Sequence, residues 1–234
     1  MSGPKILIFT PIAEHKEYCL KDFIENCKKF TYKNIQHIFV DNSQSNKFVK
    51  KLNDEYGVEA YWVQRGANSR EGLARSQVFA RKMFLNEGYD YLLSLESDIF
   101  PPEDFIERLL RRYKPVITGL YMIGDKSKGI QIPCITLPKF NEDLGAKGTR
   151  LLTLSELPAF ENAGVQRVAA GGMGCCLMRR DVIEKVSFYY DSRYMSHSDV
   201  YFFNKCNNIG IPVHVDTDLY CRHENSQWET VKDR

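Results

Sequence analysis

Four times within the first 113 residues, a short run of apolar, β-branched or aromatic residues gives way to a stripe of apolar residues at helical spacing. Lys5 to Thr10 (KILIFT), Ile35 to Val40, Val58 to Val63 and Tyr89 to Leu95 read as strands buried on both faces, because their apolar runs are continuous. The first is expected to end at Pro11, and the second stops at the turn cluster Asp41, Asn42 and Ser43. Between them, Leu20, Phe23, Ile24, Cys27 and Phe30 recur every three or four residues over Glu14 to Phe30, which predicts a helix. A polar helix is expected near Asn46 to Tyr56. Another, over Glu71 to Asn86, would face inward through Leu73, Val78, Ala80, Met83 and Phe84. Pro101 and Pro102 open a fourth, carrying Phe105, Ile106, Leu109 and Leu110. Repeated strand–helix units of this kind imply a doubly wound α/β sheet. Ligands of such sheets bind beyond the carboxyl ends of the strands. Thr10 with Pro11, Asp41 with Asn42, and Glu96, Ser97 and Asp98 therefore all fall at one edge.

After Lys114 the pattern loosens. Strands are expected at Val116 to Met122, Gly129 to Ile135, Leu151 to Leu154 and Val165 to Ala169, with a polar stretch through 139–150. Gly171, Gly172, Met173 and Gly174 lead into a strand at Cys175 to Met178, then helices at Arg180 to Val186 and Ser198 to Ile209. Val213 to Asp216 and Leu219 to His223 read as the last strands. At about 150 residues per domain, 234 residues would make one or two, and no linker, repeat or low-complexity tract divides the chain. One domain is expected, with a half at about 1–113 and a more irregular, mixed half at about 114–234.

Composition excludes several classes. With 43% hydrophobic residues the chain can bury a core, and disorder or a coiled coil is not expected. Lys plus Arg exceeds Asp plus Glu by only two, 32 against 30, so no overall field marks a nucleic-acid or membrane-surface binder. The basic run Arg108, Arg111, Arg112 and Lys114 reads as a solvated helix face. No apolar stretch approaches the roughly 20 residues that cross a bilayer, and the N-terminus has no signal-like core. The seven cysteines form no CxxC pair and sit in apolar contexts, so they read as reduced core residues. A soluble, cytoplasmic protein is the expectation.

Glu96, Ser97 and Asp98 put two carboxylates in a short turn directly after a buried strand. Carboxylate oxygens suit a hard divalent cation, whose shell is commonly completed by phosphate. The same acids would also suit the N-terminus of the helix that follows. Gly171 and Gly172 lack side chains, which suits close backbone approach or a bulge.

The acidic turn, the proline-containing first strand end, the acid after the second strand and the later Gly-Gly-x-Gly strand with its Asp-bearing helix occur in a set order. That order resembles the GT-A fold glycosyltransferases, nearest in pattern to family 2, over Ile6 to His223. The resemblance implies a single GT-A (Rossmann-like) domain that moves a sugar from a nucleoside-diphosphate sugar, UDP-linked by preference, to a hydroxyl acceptor with inversion. It assigns Asp41 to the nucleobase or ribose, with Thr10, Pro11, Arg75, Glu96 and Ser97 also on the nucleotide-sugar side. Asp98 and His223 would hold Mn or Mg, since imidazole suits Mn better than Mg. Gly171 and Gly172 fall on the acceptor side. Asp199, in Ser196 to Asp199, stands where the family has its general base, although it could also cap its helix. His197 stays unassigned, and His15, His37 and His214 read as structural. The acceptor is open between a glycan, a protein, a small molecule and a hydroxymethylated DNA base, the last not favoured by the net charge. The alternatives are a sugar nucleotidyltransferase, which would want a glycine-rich basic loop where Thr10 to Glu14 stand, and a non-catalytic nucleotide- or carbohydrate-binding module.

Overall fold

A computed structural model describes residues 3–124, 131–141, 146–193 and 196–224. The first strand, β1 (Ile6–Ile12), is buried at every position and sends alternate residues to opposite faces of the sheet. Leu7 and Phe9 enter one apolar core, while Ile6, Ile8 and Ile12 enter the other. This two-sided burial is why the run is continuous rather than alternating. Strands β2 (Ile35–Asp41) and β3 (Ala60–Trp62) extend the sheet in parallel on one side of β1, and β4 (Tyr91–Leu95) pairs in parallel on the other.

Beyond β4 lie β5 (Ile99–Phe100), β6 (Val116–Leu120), β7 (Met122–Ile123), β8 (Ile132–Pro133), β9 (Ile135–Asn141) and β10 (Ala146–Leu151). They are followed by β11 (Val165–Val168), β12 (Ala170–Gly171), β13 (Cys175–Arg179), β14 (Val213–Tyr220) and β15 (Arg222–His223). The main sheet has eight strands in the order β11-β14-β6-β13-β4-β1-β2-β3. It is mixed, because β13 runs antiparallel to both β4 and β6, and β11 antiparallel to β14.

Among the described residues, six α-helices cover the two faces. Helices α1 (Glu17–Lys28), α2 (Lys47–Asp54) and α4 (Phe105–Arg111) bury Leu20, Phe23, Phe48, Leu52, Phe105 and Ile106 in one core. Helices α3 (Ser69–Asn86), α5 (Arg180–Lys185) and α6 (Ser198–Asn208) bury Ala80, Phe84, Val182, Ile183, Phe202 and Phe203 in the other. The doubly wound α/β architecture expected from the sequence is the one observed. All seven cysteines are unpaired, five of them buried.

Several local expectations are corrected. β1 does not end at Pro11 but runs through it to Ile12. The β1–β4 ladder stops at Phe9 paired with Ser94, so β1 is locally an edge at Pro11, where a missing N–H costs no bond. Val78 is 49% exposed rather than inward. α3 instead meets the sheet through Gly72, Ser76, Ala80 and Phe84, one row at i, i+4 spacing whose small residues let the helix come close. The polar stretch at 139–150 belongs to an antiparallel pair, β9 with β10, of which residues 142–145 lie outside the described residues. Strand structure ends at Leu151 and does not continue to Leu154. Gly129 and Ile130, at the start of another expected strand, also lie outside the described residues. The two strands expected after Pro212 are one longer strand, β14, with a register shift between Asp216 and Tyr220, followed by the short β15.

That irregularity is held by charge. Arg112, the C-cap of α4, donates to Asp216 Oδ2 at 2.8 Å and Oδ1 at 3.1 Å, and to Asp218 Oδ2 at 2.8 Å. Asp216 is wholly buried. Arg108 donates to the Asp218 carbonyl as well. The basic run on α4 is therefore spent in part on fastening α4 to β14.

Candidate active site

A cleft of about 270 Å³ opens at the carboxyl ends of β1, β2 and β4. Its floor comprises Pro11, Ile12, Asn42, Glu96, Ser97 and Asp98, and the first turns of α3 and α6 bring Ser69, Leu73, His197 and Asp199 to it. The turn after β1 contributes Ala13, His15 and Lys16. Among the sequence-predicted residues, Pro11, Glu96, Ser97, Asp98 and Asp199 thus share one cavity.

The acidic turn is tied at both ends. Glu96 N–H donates to the Gly174 carbonyl at 3.0 Å, and Ile99 N–H closes the turn on the Glu96 carbonyl at 3.0 Å. Directly after it, β5 pairs antiparallel with β15, Ile99 opposite His223, and Glu224 N–H donates to the Asp98 carbonyl at 2.8 Å. This two-residue ladder is what brings His223, remote in sequence, against Asp98. His223 Nδ1–H donates to the Met122 carbonyl at 2.6 Å, and a carbonyl can only accept, so Nε2 is the ring nitrogen turned to Asp98 Oδ2, 3.5 Å away. The edge of Tyr121 packs on the same imidazole at 5.7 Å between centroids.

Lys16 reaches into the same place. It ends the 3-10 turn Glu14–Lys16 that follows β1, and its ammonium pairs with Asp98 Oδ2. Burial alone would push the Asp98 carboxyl up, but Lys16 and then His223 outweigh burial and hold it well below the usual carboxylate range. For His223, burial opposes the charged form and Asp98 more than offsets it, so the imidazole is raised. Burial, reinforced by the charge of Asp98, pushes Glu96 up to about 7. Two carboxyls two residues apart are thus driven in opposite directions, Asp98 ionised and Glu96 readily protonated.

Asp199 lies in the first turn of α6, half-buried in the cleft wall. Its Oδ1 accepts from Val200 N–H at 2.7 Å, and burial raises its carboxyl above the ordinary value. The neighbouring Ser198 hydroxyl donates to Gln77 of α3, and Asn68, which caps α3, donates to Tyr190 Oη at 2.7 Å. The first contact fixes the start of α6 against α3, and the second ties the segment at Tyr190 to the start of α3.

Other predicted residues lie off the cavity lining. Thr10 is buried and hydrogen-bonded to His37 Nε2 at 2.8 Å. Asp41 is also fully buried, with Oδ1 accepting from Ser43 N–H at 2.8 Å in an Asx turn, and it is Asn42 that reaches the cleft. Arg75 is paired with Glu71 at 2.7 Å and with the Gln64 carbonyl at 3.1 Å. At Gly171 and Gly172 the room left by missing side chains is taken up inside the protein. A Cβ on Gly171 would lie 2.3 Å from Thr118 Oγ1, and one on Gly172 only 1.7 Å from Tyr121 Oη. Sequence reasoning placed Asn42 at this edge without giving it a role, read His15 as structural, and missed Lys16. The only signal for Lys16 was its place shortly after the first strand end, in a polar segment that reads as solvated.

No protein-family model and no curated protein matches this sequence. Among solved structures, the chain is similar to GalNAc-T7 with UDP, GalNAc and Mn2+, with a TM-score of 0.61 and 13% identity over 94% of this chain and 44% of that one. It is similar to S. aureus TarS 1-349 in complex with UDP-GlcNAc, with a TM-score of 0.56 and 12% identity over 94% of this chain and 59% of that one. A third likeness, to CMP:2-keto-3-deoxy-manno-octonic acid synthetase complexed with CTP, has a TM-score of 0.51 and 12% identity over 97% and 96% of the two chains. The chain thus spans less than two thirds of the first two proteins' length, and at these identities the likeness is one of fold. The mixed eight-stranded sheet, its helices on both faces and these neighbours together give the chain a Rossmann-like α/β fold of the GT-A type.

Proposed function

We propose that the protein is a family 2-like glycosyltransferase that moves a sugar from a nucleoside-diphosphate sugar, a UDP-sugar by preference, to a hydroxyl acceptor with inversion at the anomeric carbon. The observation that carries this reading is the meeting of the acidic turn and Asp199 in the lining of one cleft at the carboxyl ends of β1, β2 and β4, with His223 off that lining but 3.5 Å from Asp98 Oδ2. The UDP, GalNAc and Mn2+ in the GalNAc-T7 structure and the UDP-GlcNAc in that of TarS accord with it at the level of fold.

The residues present fit a divalent cation. A carboxylate oxygen and an imidazole nitrogen face one another 3.5 Å apart, and the backbone acceptor on Nδ1 leaves Nε2 to act as ligand. Asp98 and His223 would hold Mn or Mg. Among the described residues no three His, Cys, Asp or Glu side chains converge, so the remaining ligands would come from the donor diphosphate. When bound there, the cation neutralises charge developing on the leaving diphosphate.

The chain's own residues do the rest. The Asp41 turn presents Asn42 to the nucleotide side. Glu96, readily protonated, can donate to a sugar hydroxyl or ribose. Asp199 accepts the proton of the acceptor hydroxyl as the acceptor oxygen bonds to the anomeric carbon and the bond from that carbon to the diphosphate oxygen breaks. Attack from the face opposite the diphosphate gives inversion.

The test is UDP release from a panel of UDP-sugars with candidate acceptors. Asp199→Asn should lower acceptor-dependent release about 100-fold or more while UDP binding is kept. Full transfer by that variant at saturating donor would remove the base assignment. Pyrophosphate release from a nucleoside triphosphate and a sugar would instead assign a nucleotidyltransferase. Binding of UDP-sugar without any turnover would assign a binding module.

A further inference from the structure

Tyr121 stands between β6 and β7 and is only 5% exposed. Its ring and the His223 imidazole meet edge to face at 82°, and the next residue, Met122, offers the carbonyl that accepts from His223 Nδ1–H. The far end of the same side chain serves another element. Tyr121 Oη accepts from Gly174 N–H at 3.1 Å, and the Gly174 carbonyl in turn accepts from Glu96 N–H at 3.0 Å. The β13–β6 ladder begins only at Cys176, opposite Thr118, so the buried Gly174 N–H takes its acceptor from a side chain rather than from the β6 backbone. A Cβ on Gly174 would lie 2.9 Å from Tyr121 Oη and 2.8 Å from Ile99 Cγ1, and one on Gly172 closer still to that hydroxyl. The glycine run thus leaves room for a tyrosine of the protein itself.

We propose that Tyr121 is a positioning residue that sets the place of the acidic turn relative to His223, holding Gly174 by its hydroxyl and the imidazole by its ring. The inference rests on the reading above in taking Asp98 and His223 as the holders of the cation. A phenol ring is rigid, and in a close-packed interior it transmits a shift at one end to the other. Glu96 opens the turn whose third residue is Asp98, so a chain of contacts runs from His223 through Tyr121 and Gly174 to the carboxylate that faces the same imidazole 3.5 Å away. The β5–β15 ladder ties the pair directly, and Tyr121 closes the loop by a second route. Without the hydroxyl, Gly174 N–H would be left buried without that acceptor, which the backbone relieves by moving, and the turn moves with it.

Amide hydrogen exchange followed by NMR on the donor-free full chain tests the first link, comparing wild type with Tyr121→Phe, which keeps the ring on His223 and removes only the hydroxyl. Exchange at Gly174 and Glu96 should quicken about tenfold or more, while Phe39 N–H, bonded to the Glu59 carbonyl elsewhere in the sheet, should stay within about threefold of wild type. Mn2+ binding in saturating UDP, measured by electron paramagnetic resonance, tests the consequence for the site. Tyr121→Phe should bind Mn2+ about tenfold more weakly than wild type, as the loss of a group supporting metal ligands commonly does. Tyr121→Leu, which also strips the ring from His223, should weaken binding further, and the Phe variant decides alone if the Leu variant does not fold. Equal quickening at Gly174, Glu96 and Phe39 would reflect lost stability alone and overturn the proposal. Unchanged exchange at Gly174 and Glu96, or Mn2+ affinity of Tyr121→Phe within about twofold of wild type, would overturn it as well. If the wild type binds no Mn2+ even with UDP, the metal reading fails, while exchange at Glu96 still decides whether Tyr121 holds the turn.

Discussion

Replacing Arg112 with Met removes the guanidinium from Asp216, a wholly buried carboxylate at the register shift of β14. The loss is of three hydrogen bonds, two to Asp216 and one to Asp218, at 2.8–3.1 Å. Stranding one member of a buried pair costs about 3–5 kcal/mol. The lower end applies here, since the Arg112 side chain is 34% exposed and Asp218 N–H still donates to Asp216 at 3.2 Å. A loss of about 3 kcal/mol in a chain of this size lowers Tm by about 6–12 °C. Thermal unfolding followed by circular dichroism at pH 7 measures it. A second background separates causes: with Asp216→Asn already in place, no buried charge remains to be stranded, and adding Arg112→Met should cost only about 1 kcal/mol in lost hydrogen bonds and packing. Equal losses in the two backgrounds, or a shift of less than 2 °C in the first, would refute the argument from a stranded charge.

Two further perturbations follow from other parts of the fold. Burial pushes His37 down to about 4; its ring stacks on Phe39 at 4.7 Å and meets the face or edge of Phe23 at 6.2 Å. The unfolded chain, with an ordinary imidazole near 6.5, takes up that proton first, so His37 costs the fold nothing at pH 7 and destabilises it as pH falls below about 6.5, by roughly 2 kcal/mol at pH 5. Urea unfolding at the two pH values should show that loss in the wild type and a smaller one in His37→Gln; an identical loss would clear His37 of it. Gly172→Ala places a methyl 1.7 Å from Tyr121 Oη, whose side chain is buried and accepts from Gly174 N–H, so overpacking should cost about 3 kcal/mol. A variant with wild-type stability would mean that Tyr121 has room to turn away.

The alternation of strands and helices in the first 113 residues was legible because burial on both sheet faces leaves a compositional trace. Ile6, Ile8, Leu7 and Phe9 must all be apolar when each goes to one of two cores. Val78 was misread because periodicity counts apolar residues. α3 packs through Gly72, Ser76 and Ala80, whose small size is the relevant property. The pairing of β9 with β10 leaves no apolar trace, since its ladder is made by backbone groups that every residue but proline carries. At the cleft, the acids announced themselves by standing in a turn after a buried strand. Lys16 did not, because a lysine in a polar turn looks the same whether it points to water or to Asp98. The distinction between Asp41 and Asn42 was equally invisible, being one of side-chain direction at the end of β2.

The place of β13 in the sheet bears on how the chain comes to have a site at all. The first four strands form a contiguous block, β4-β1-β2-β3, and on the far side of β4 the neighbour is β13. While the chain is being synthesised, that side of β4 stays a raw edge until residues 175–179 emerge, and such an edge is a template for pairing between chains. The same arrival that covers it also delivers the Gly174 carbonyl to Glu96 N–H. Protection from aggregation and closure of the acidic turn are therefore one event in the life of the nascent chain, and a ribosome-bound fragment carrying only the first half would present an adhesive edge where the finished protein has β13.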